Sequence, residues 1–485
     1  MNLKITYCFK TPIVQKSIPF IIGLFIFYIS KNHFFFWDTI SQISIPANWY
    51  LDNNFKSFWI PDYSSTGHLP FLPLYVAAGW SLFGKSILIT NLLFLPFIIG
   101  TIYQLKSLSE KIFPDRISFQ NLALLLVLLD ATLLSQLSMI TPDIPHMFFY
   151  ILAINAILSN KKSLFFIACT LMGLVSMRGT ITVGGLAIFY LWYQIYSNKL
   201  RIRELLPLFY SILIISSIYG LHYISKGWII HNINSDNWTS SSKFAPFPLV
   251  IKNIIVFFWQ LADYGRIILW AICGFTFLKQ LKTRSSVDNK TAILMVLIIS
   301  QTIIWFPITV AYQNAFGHRY FLPIIVLLPY LTLLVIRSYL NQKKILTAIC
   351  IIALIGGYFI VYPKKTAQGW DATPAHWPYY SLRKEMINYI DDQSIDKNSI
   401  SSFFPNLASS YNIDLDTENT FKFNQFDKEK SQYVFYSNVY NMSDEAIDLL
   451  FYSNSFSKKH VIKKGQIYVI LFERDLEPGT TPPEP

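Results

Sequence analysis

The sequence predicts an α-helical polytopic membrane protein with exported loop helices and a small C-terminal α/β domain. Three observations carry that reading. Of 485 residues, 53% are hydrophobic and 17% aromatic, and only 14% are charged, where soluble domains carry about 25% charged residues. The mean hydropathy is +0.38. The apolar residues fall into segments near the roughly 20 residues that cross a bilayer, and the composition turns abruptly polar near Lys364. The net charge of +12 does not point to nucleic acid. Its bases sit in short clusters between apolar segments, which is the positive-inside pattern and not a binding stripe.

About eleven spans follow from hydropathy: 13–33, 86–105, 119–139, 144–159, 163–178, 180–197, 207–225, 264–280, 291–311, 320–338 and 345–362. Lys4, Lys10 and Lys16 precede the first run as in a signal peptide, but no small-residue cleavage site ends it, so it is read as an uncleaved span. Basic clusters follow every second span: Lys106, Lys111 and Arg116; Lys161 and Lys162; Lys199, Arg201 and Arg203; Lys279, Lys282 and Arg284; Arg337, Lys343 and Lys344. The expected topology therefore has a cytoplasmic N-terminus and an exported C-terminus. The Ile, Lys, Asn and Phe bias suggests a bacterial source, hence the cytoplasmic (inner) membrane with a periplasmic or extracellular tail.

Three pieces are expected outside. Segment 34–85 carries the aromatic groups "FFFWD", "NWY" and "SFWIPDY", suited to the membrane interface. In 226–263, "FPLVIKNIIVFFWQLADYG" reads as a helix on the outer surface. The third piece divides the chain: 1–363 is the multi-span catalytic part, 364–475 an exported α/β domain, and 476–485 a disordered tail. Within the domain "SLRKEMINYIDDQ" and "SDEAIDLLFYS" read as helices, "QYVFYS" and "QIYVILFE" as strands. The widely spaced Cys8, Cys169, Cys273 and Cys350 give no metal or disulfide framework, and no internal repeat is visible.

A few charges stand where a greasy chain has little use for them. Asp143 follows Thr141 and Pro142 at the start of a span. A helix start suits a carboxylate, and so does the rim of a cavity between helices. Asp38 follows the first span among interfacial aromatics. Arg178 tips a hairpin only about 14 residues beyond Lys162, roughly 21 Å of helix. That length leaves its guanidinium inside the outer leaflet, where a charge marks function by default. Arg319 opens the tenth span on the side where bases are disfavoured, and snorkelling is its alternative. "GHLPFLPLYVAAGWSLFGKS" places His68 before Pro70 and Pro73, then a short helix, Gly84 and Lys85. Two carboxylates and two outer-leaflet cations suit an anionic, lipid-linked substrate.

These motifs, in this order, resemble the GT-C superfamily of membrane glycosyltransferases, and within it the protein O-mannosyltransferases and lipid A aminoarabinose transferases. The resemblance spans most of 13–362. Asp38 in "WD" matches the acidic residue after the first span, and "HLPFLPLY" with His68 and Tyr75 the following His-Pro-Pro-Leu-Tyr-like segment. "SLFGKS" ends that loop as in the family, and "TPD" matches the second acidic position. "MRGT" stands where many members have Lys-Gly, and "HRYFLP" where they have Arg-Tyr-x-x-Pro. The resemblance implies a hexosyl- or pentosyltransferase drawing on a polyprenyl-phosphate sugar within the membrane lipid. The acceptor is a lipid, glycan or protein hydroxyl, and no nucleic acid is involved.

The chemistry suits the residues. A phosphate leaving group already carries negative charge, so cations matter more than a general acid, and Arg is the better fork. Arg178, Arg319 and Lys85 are the expected phosphate ligands, and Asp38 is the base toward the acceptor hydroxyl. Asp143 orients the acceptor or serves as second base. His68, Tyr75, His318 and Tyr320 are expected to line the substrate. No metal is assigned, although Asp38, Asp143 and His68 are types that can bind a divalent ion. One base and one displacement imply inversion. Two rivals remain: a transporter or flippase of lipid-linked sugars, which would favour inverted repeats and broken helices, neither of which the sequence displays, and an O-antigen-type polymerase or ligase using a diphosphate-linked donor.

Overall fold

The computed structural model describes residues 12–229, 243–284, 286–313 and 316–475; the expected tail 476–485 and the lysines at 4 and 10 lie outside the described residues. Each expected span is occupied by a helix. Four segments are singly long and apolar enough to cross a membrane: Ile87–Ile112, Ile202–Lys226, Asn289–Ala311 and His318–Tyr339. Shorter apolar helices stand beside them, among them Asp143–Leu158 and Lys162–Val175. The His318–Tyr339 segment is almost entirely buried and forms the middle of the bundle.

Two spans are not straight. The segment expected as one span over 119–139 is two helices, Ile117–Leu128 and Ala131–Leu137, bent by 77°. The cause is Asp130. Its Oδ1 accepts the amides of Thr132 (3.0 Å) and Leu133 (3.1 Å), so it caps a new helix where hydropathy alone saw continuity. The helix expected in 226–263 is Phe247–Ala262, and it meets Arg266–Thr283 at 94°. The breaks are tied together by Arg266, whose Nη1 lies 3.0 Å from Asp130 Oδ2 and whose Nη2 donates to the Gln260 carbonyl at 2.9 Å.

The bundle has two unlike ends. At one, Lys111 Nζ donates to Asn155 Oδ1 (3.1 Å), Lys290 Nζ to the Ile112 carbonyl (2.8 Å), Lys162 pairs with Glu204 (2.6 Å), and Arg337 lies against Phe113 and Phe119. The other end receives the loops expected outside and the polar C-terminal part. There, helix Pro378–Asp392 and helix Asp444–Tyr452 pack with five strands: β1 (Ile400–Ser402), β2 (Asn424–Gln425), β3 (Tyr433–Ser437), β4 (Phe456–Lys464) and β5 (Ile467–Arg474). The sheet order is β2-β1-β3-β5-β4, with β1 parallel to β2 and β3, and β3, β5 and β4 antiparallel in turn. Its core takes in Phe36 and Met139 from the earlier chain. Further bonds fasten it to the first loop: the Phe35 amide donates to the Ile413 carbonyl (3.1 Å), Ser44 Oγ to the Asn412 carbonyl (2.6 Å) and Asn48 Nδ2 to Asn412 Oδ1 (2.8 Å).

Candidate active site

Five charged side chains from five separate places in the chain meet under the polar end. Asp143 opens its helix, with its amide donating to Thr141 Oγ1 at 3.2 Å. Arg178 is the second residue of Met177–Tyr196, a helix whose first turn is capped by Ser176 Oγ accepting from the Gly179 amide at 3.2 Å. Gly179 is required there, because a Cβ would sit 1.9 Å from the Met172 carbonyl oxygen. Gly179 thus seats this helix start tightly against helix Lys162–Val175, and Arg178 beside it reaches Asp143, with Nη1 2.7 Å from Oδ1 and 2.8 Å from Oδ2. Nη2 donates to Gln42 Oε1 at 3.3 Å.

Asp38 arrives from the first loop. Trp37 before it holds φ 58, unusual for a bulky residue and of the kind found at functional sites. A π-helical turn, Ile40–Ser44, follows and supplies Gln42. Asp38 Oδ2 accepts from Arg319 Nη2. Arg319 Nη1 stands 2.9 Å from Asp371 Oδ2 and 3.9 Å from Asp143 Oδ2. Asp38 and Asp143 are therefore neighbours across one guanidinium. The contact with Asp371 is at ion-pair distance but not aligned as a hydrogen bond, so both buried atoms keep an unused bonding direction. The Tyr320 ring lies between the two arginines, 4.7 Å from the Arg178 guanidinium carbon and 5.7 Å from that of Arg319.

Asp371 was missed in the sequence. Its backbone carbonyl accepts from Ser135 Oγ (2.8 Å) and Gln136 Nε2 (2.7 Å), on the short helix begun by Asp130. Gln136 Oε1 in turn accepts from Thr141 Oγ1 at 2.8 Å. Burial pushes the Asp371 carboxyl up to about 6; Arg319 opposes the rise and Asp38 and Asp143 add to it. A signal was present: Trp370-Asp371 after the last span repeats Trp37-Asp38 after the first. Gln42 carried no such signal.

The remaining expected residues divide. His68 is half-buried beside the cluster, its Nδ1 3.5 Å from the Met177 amide. Burial, then the Arg178 charge, push its pKa down to about 3 against a pull from Asp143, so the ring is neutral. Tyr320 is in the cluster. His318 is not: its Nε2 faces Asp263 Oδ2 at 3.0 Å and its ring packs on Tyr264. Tyr75 is exposed and donates to the Leu93 carbonyl at 2.8 Å, on the outside of the bundle. Lys85 lies over the Tyr411 ring at 3.2 Å, near Asp52, with its pKa pushed down to about 8 by burial. These contacts hold it apart from the two arginines. Among the described residues no three His, Cys, Asp or Glu side chains form a metal-binding group.

An arrangement like this does little for stability. Each ion taken out of water costs several kcal/mol, and even well-paired buried networks are often matched by apolar packing. Side-chain exposure is graded, 23% for Asp38 against 1% for Asp143 and 3% for Arg319. Solvent therefore reaches the network chiefly at Asp38.

No protein-family model and no curated protein matches the chain. Among solved structures, the crystal structure of ArnT from Cupriavidus metallidurans bound to undecaprenyl phosphate is similar over 95% of this chain and 98% of that one. The TM-score is 0.50 and the identity 11%. The helical bundle with its small polar domain thus has the fold of that ArnT structure.

Proposed function

We propose that the protein is a membrane glycosyltransferase. It moves a sugar from a polyprenyl-phosphate carrier to an acceptor hydroxyl at the outer face of the cytoplasmic membrane. The observation that carries this is the cluster of buried Asp143, Asp371, Arg178 and Arg319 with the partly exposed Asp38, at the end of the bundle away from the basic helix ends. The lipid bound in the ArnT structure is the relevant chemical class of donor product. In the reaction the bond from the anomeric carbon to phosphate oxygen breaks as the acceptor oxygen attacks from the opposite side. The electron pair leaves on polyprenyl phosphate, which gains one negative charge, and the acceptor proton passes to Asp38.

The residues take roles suited to their surroundings. Asp38 is the most exposed of the cluster's ion-paired carboxylates and the one an acceptor reaches. Its Oδ2 is taken up by Arg319 in this structure; phosphate that engages Arg319 frees that oxygen for the acceptor proton. Arg178 and Arg319 stabilise the departing phosphate in a site with little water, where such charges act strongly. The helix starts at Asp143 and Met177 add positive ends nearby. Asp143, fixed by Arg178 through both oxygens, sets the position of that guanidinium. His68, neutral, accepts a hydrogen bond from substrate. An inverted product follows from a single displacement.

The test supplies purified protein with labelled sugar on polyprenyl monophosphate or diphosphate and separates products by thin-layer chromatography. Loss of label from the monophosphate donor alone, with polyprenyl phosphate released, is expected. Cleavage of the diphosphate donor instead, or passage of intact donor across a vesicle without cleavage, would favour a ligase or a flippase.

A further inference from the structure

A cavity of about 1110 Å3 lies away from the charge cluster, and none of the five clustered side chains lines it. Its lower wall is made of membrane-helix ends. Ile29 belongs to the last turn of Pro12–Ser30, Leu88 to the first turn of Ile87–Ile112, and Phe359 follows Lys343–Gly356. These side chains are exposed by 36%, 47% and 66%, so the wall is continuous with the lipid-facing surface. Its upper wall is helix Pro378–Asp392 and the β4–β5 turn. Lys31, Lys384 and Lys464 reach it from three different elements.

The charges in this space do not balance. Asp414 is engaged by Arg383 Nη1 at 2.7 and 3.0 Å. Asp416 accepts the turn amides of Glu418 (3.0 Å) and Asn419 (3.1 Å). Lys31 lies over the Tyr28 ring at 4.5 Å. No carboxylate lies within ion-pair distance of Lys31, Lys384 or Lys464 among the described residues. An apolar floor at the level of helix ends, roofed by three lysines with no ion-pair partner among the described residues, matches an amphiphile with an anionic head and long apolar chains. A soluble anion would leave the floor unused, and a neutral lipid would leave the lysines unused. The space slightly exceeds the roughly 300–1,000 Å3 of small-molecule pockets, as a lipid with long chains needs.

We propose that this cavity seats an anionic phospholipid, with its phosphate among Lys31, Lys384 and Lys464 and its chains along Ile29, Leu88 and Phe359. The site is separate from the reaction centre. A wall of stacked rings, His33 on Tyr380 at 3.9 Å, stands on its inner side. Pro374 and Trp377 of that wall continue the connector that carries Asp371, so a bound lipid braces the segment from behind.

The test reconstitutes the full chain in nanodiscs of equal phosphatidylglycerol and phosphatidylcholine, releases it in mild detergent, and counts retained lipid by native mass spectrometry. Phosphatidylglycerol should be retained in preference. The preference should fall about tenfold or more in a Lys31→Gln, Lys384→Gln, Lys464→Gln variant. Lys384→Gln alone, at an exposed helix position, should give a partial loss and guards against misfolding of the triple variant. Lys458→Gln with Lys463→Gln, which lie outside the cavity, should change nothing. Equal retention of the two lipids, an unchanged preference in the triple and single variants, or an equal loss in the β4 control would each overturn the assignment.

Discussion

Two arginines hold three carboxylates within the cluster, and the third carboxylate is the one out of balance. Asp371 is buried, its partner Arg319 is shared with Asp38, and its pKa is raised to about 6 chiefly by burial. An unfolded Asp titrates near 3.9. Below about pH 4 both folded and unfolded chains hold this proton, and its contribution to stability is fully present. As pH rises through about 6 the folded carboxyl ionises where water is scarce, and stability falls, by at most about 3 kcal/mol. Asp371→Asn should flatten that part of the profile, read as Tm between about pH 4 and 7. A wild-type Tm that rises relative to that of Asp371→Asn over this window would contradict the sign. The sequence displayed Asp38, Asp143, Arg178 and Arg319 because a charge in an apolar run has few ordinary reasons to be there. Asp371 sits in polar sequence, where an aspartate is unremarked. Tyr75, Lys85 and His318 looked equally placed by motif, but their nearest partners are a backbone carbonyl, an aromatic face and Asp263. One dimension of sequence cannot rank such partners.

The two ends of the bundle carry unlike charges. Lys111, Lys162, Lys290 and Arg337 gather at one end of the bundle and the charge cluster at the other. A reporter fused at Lys282 should therefore be cytoplasmic and one fused after Glu473 exported. Finding both on the same side would remove the cluster from the outer face. Hydropathy placed a helix in each expected span but did not show the breaks. The bend at Asp130 depends on a capping carboxylate whose charge is met by Arg266, more than a hundred residues away in the chain, and no local pattern announces that partner. Strand β4 was also missed. It is an edge strand, "FSKKHVIKK", and the lysines that keep such an edge from pairing with other chains also hide its period.

The whole molecule is a membrane bundle whose polar cap is joined to the first loop and to the broken helix, and through Asp371 the cap contributes to the cluster itself. Its two helices and the strands β3 and β5 were legible from amphipathic period and β-branched runs. Its docking was not, because the bonds run from Ser44, Asn48 and Ser135 to backbone carbonyls and an amide side chain distant in sequence. The central claim is that Asp38 is the base and Arg319 the phosphate ligand of one sugar-transfer site. The most direct measurement compares Asp38→Asn and Arg319→Ala in purified protein, following turnover of polyprenyl-monophosphate sugar and binding of undecaprenyl phosphate in parallel. Asp38→Asn should lower turnover by roughly 10²–10⁴-fold with lipid phosphate still bound, since its loss also frees Arg319. Arg319→Ala should weaken that binding. Near-normal turnover in a folded Asp38→Asn protein, or undiminished lipid phosphate binding in Arg319→Ala, would contradict the account.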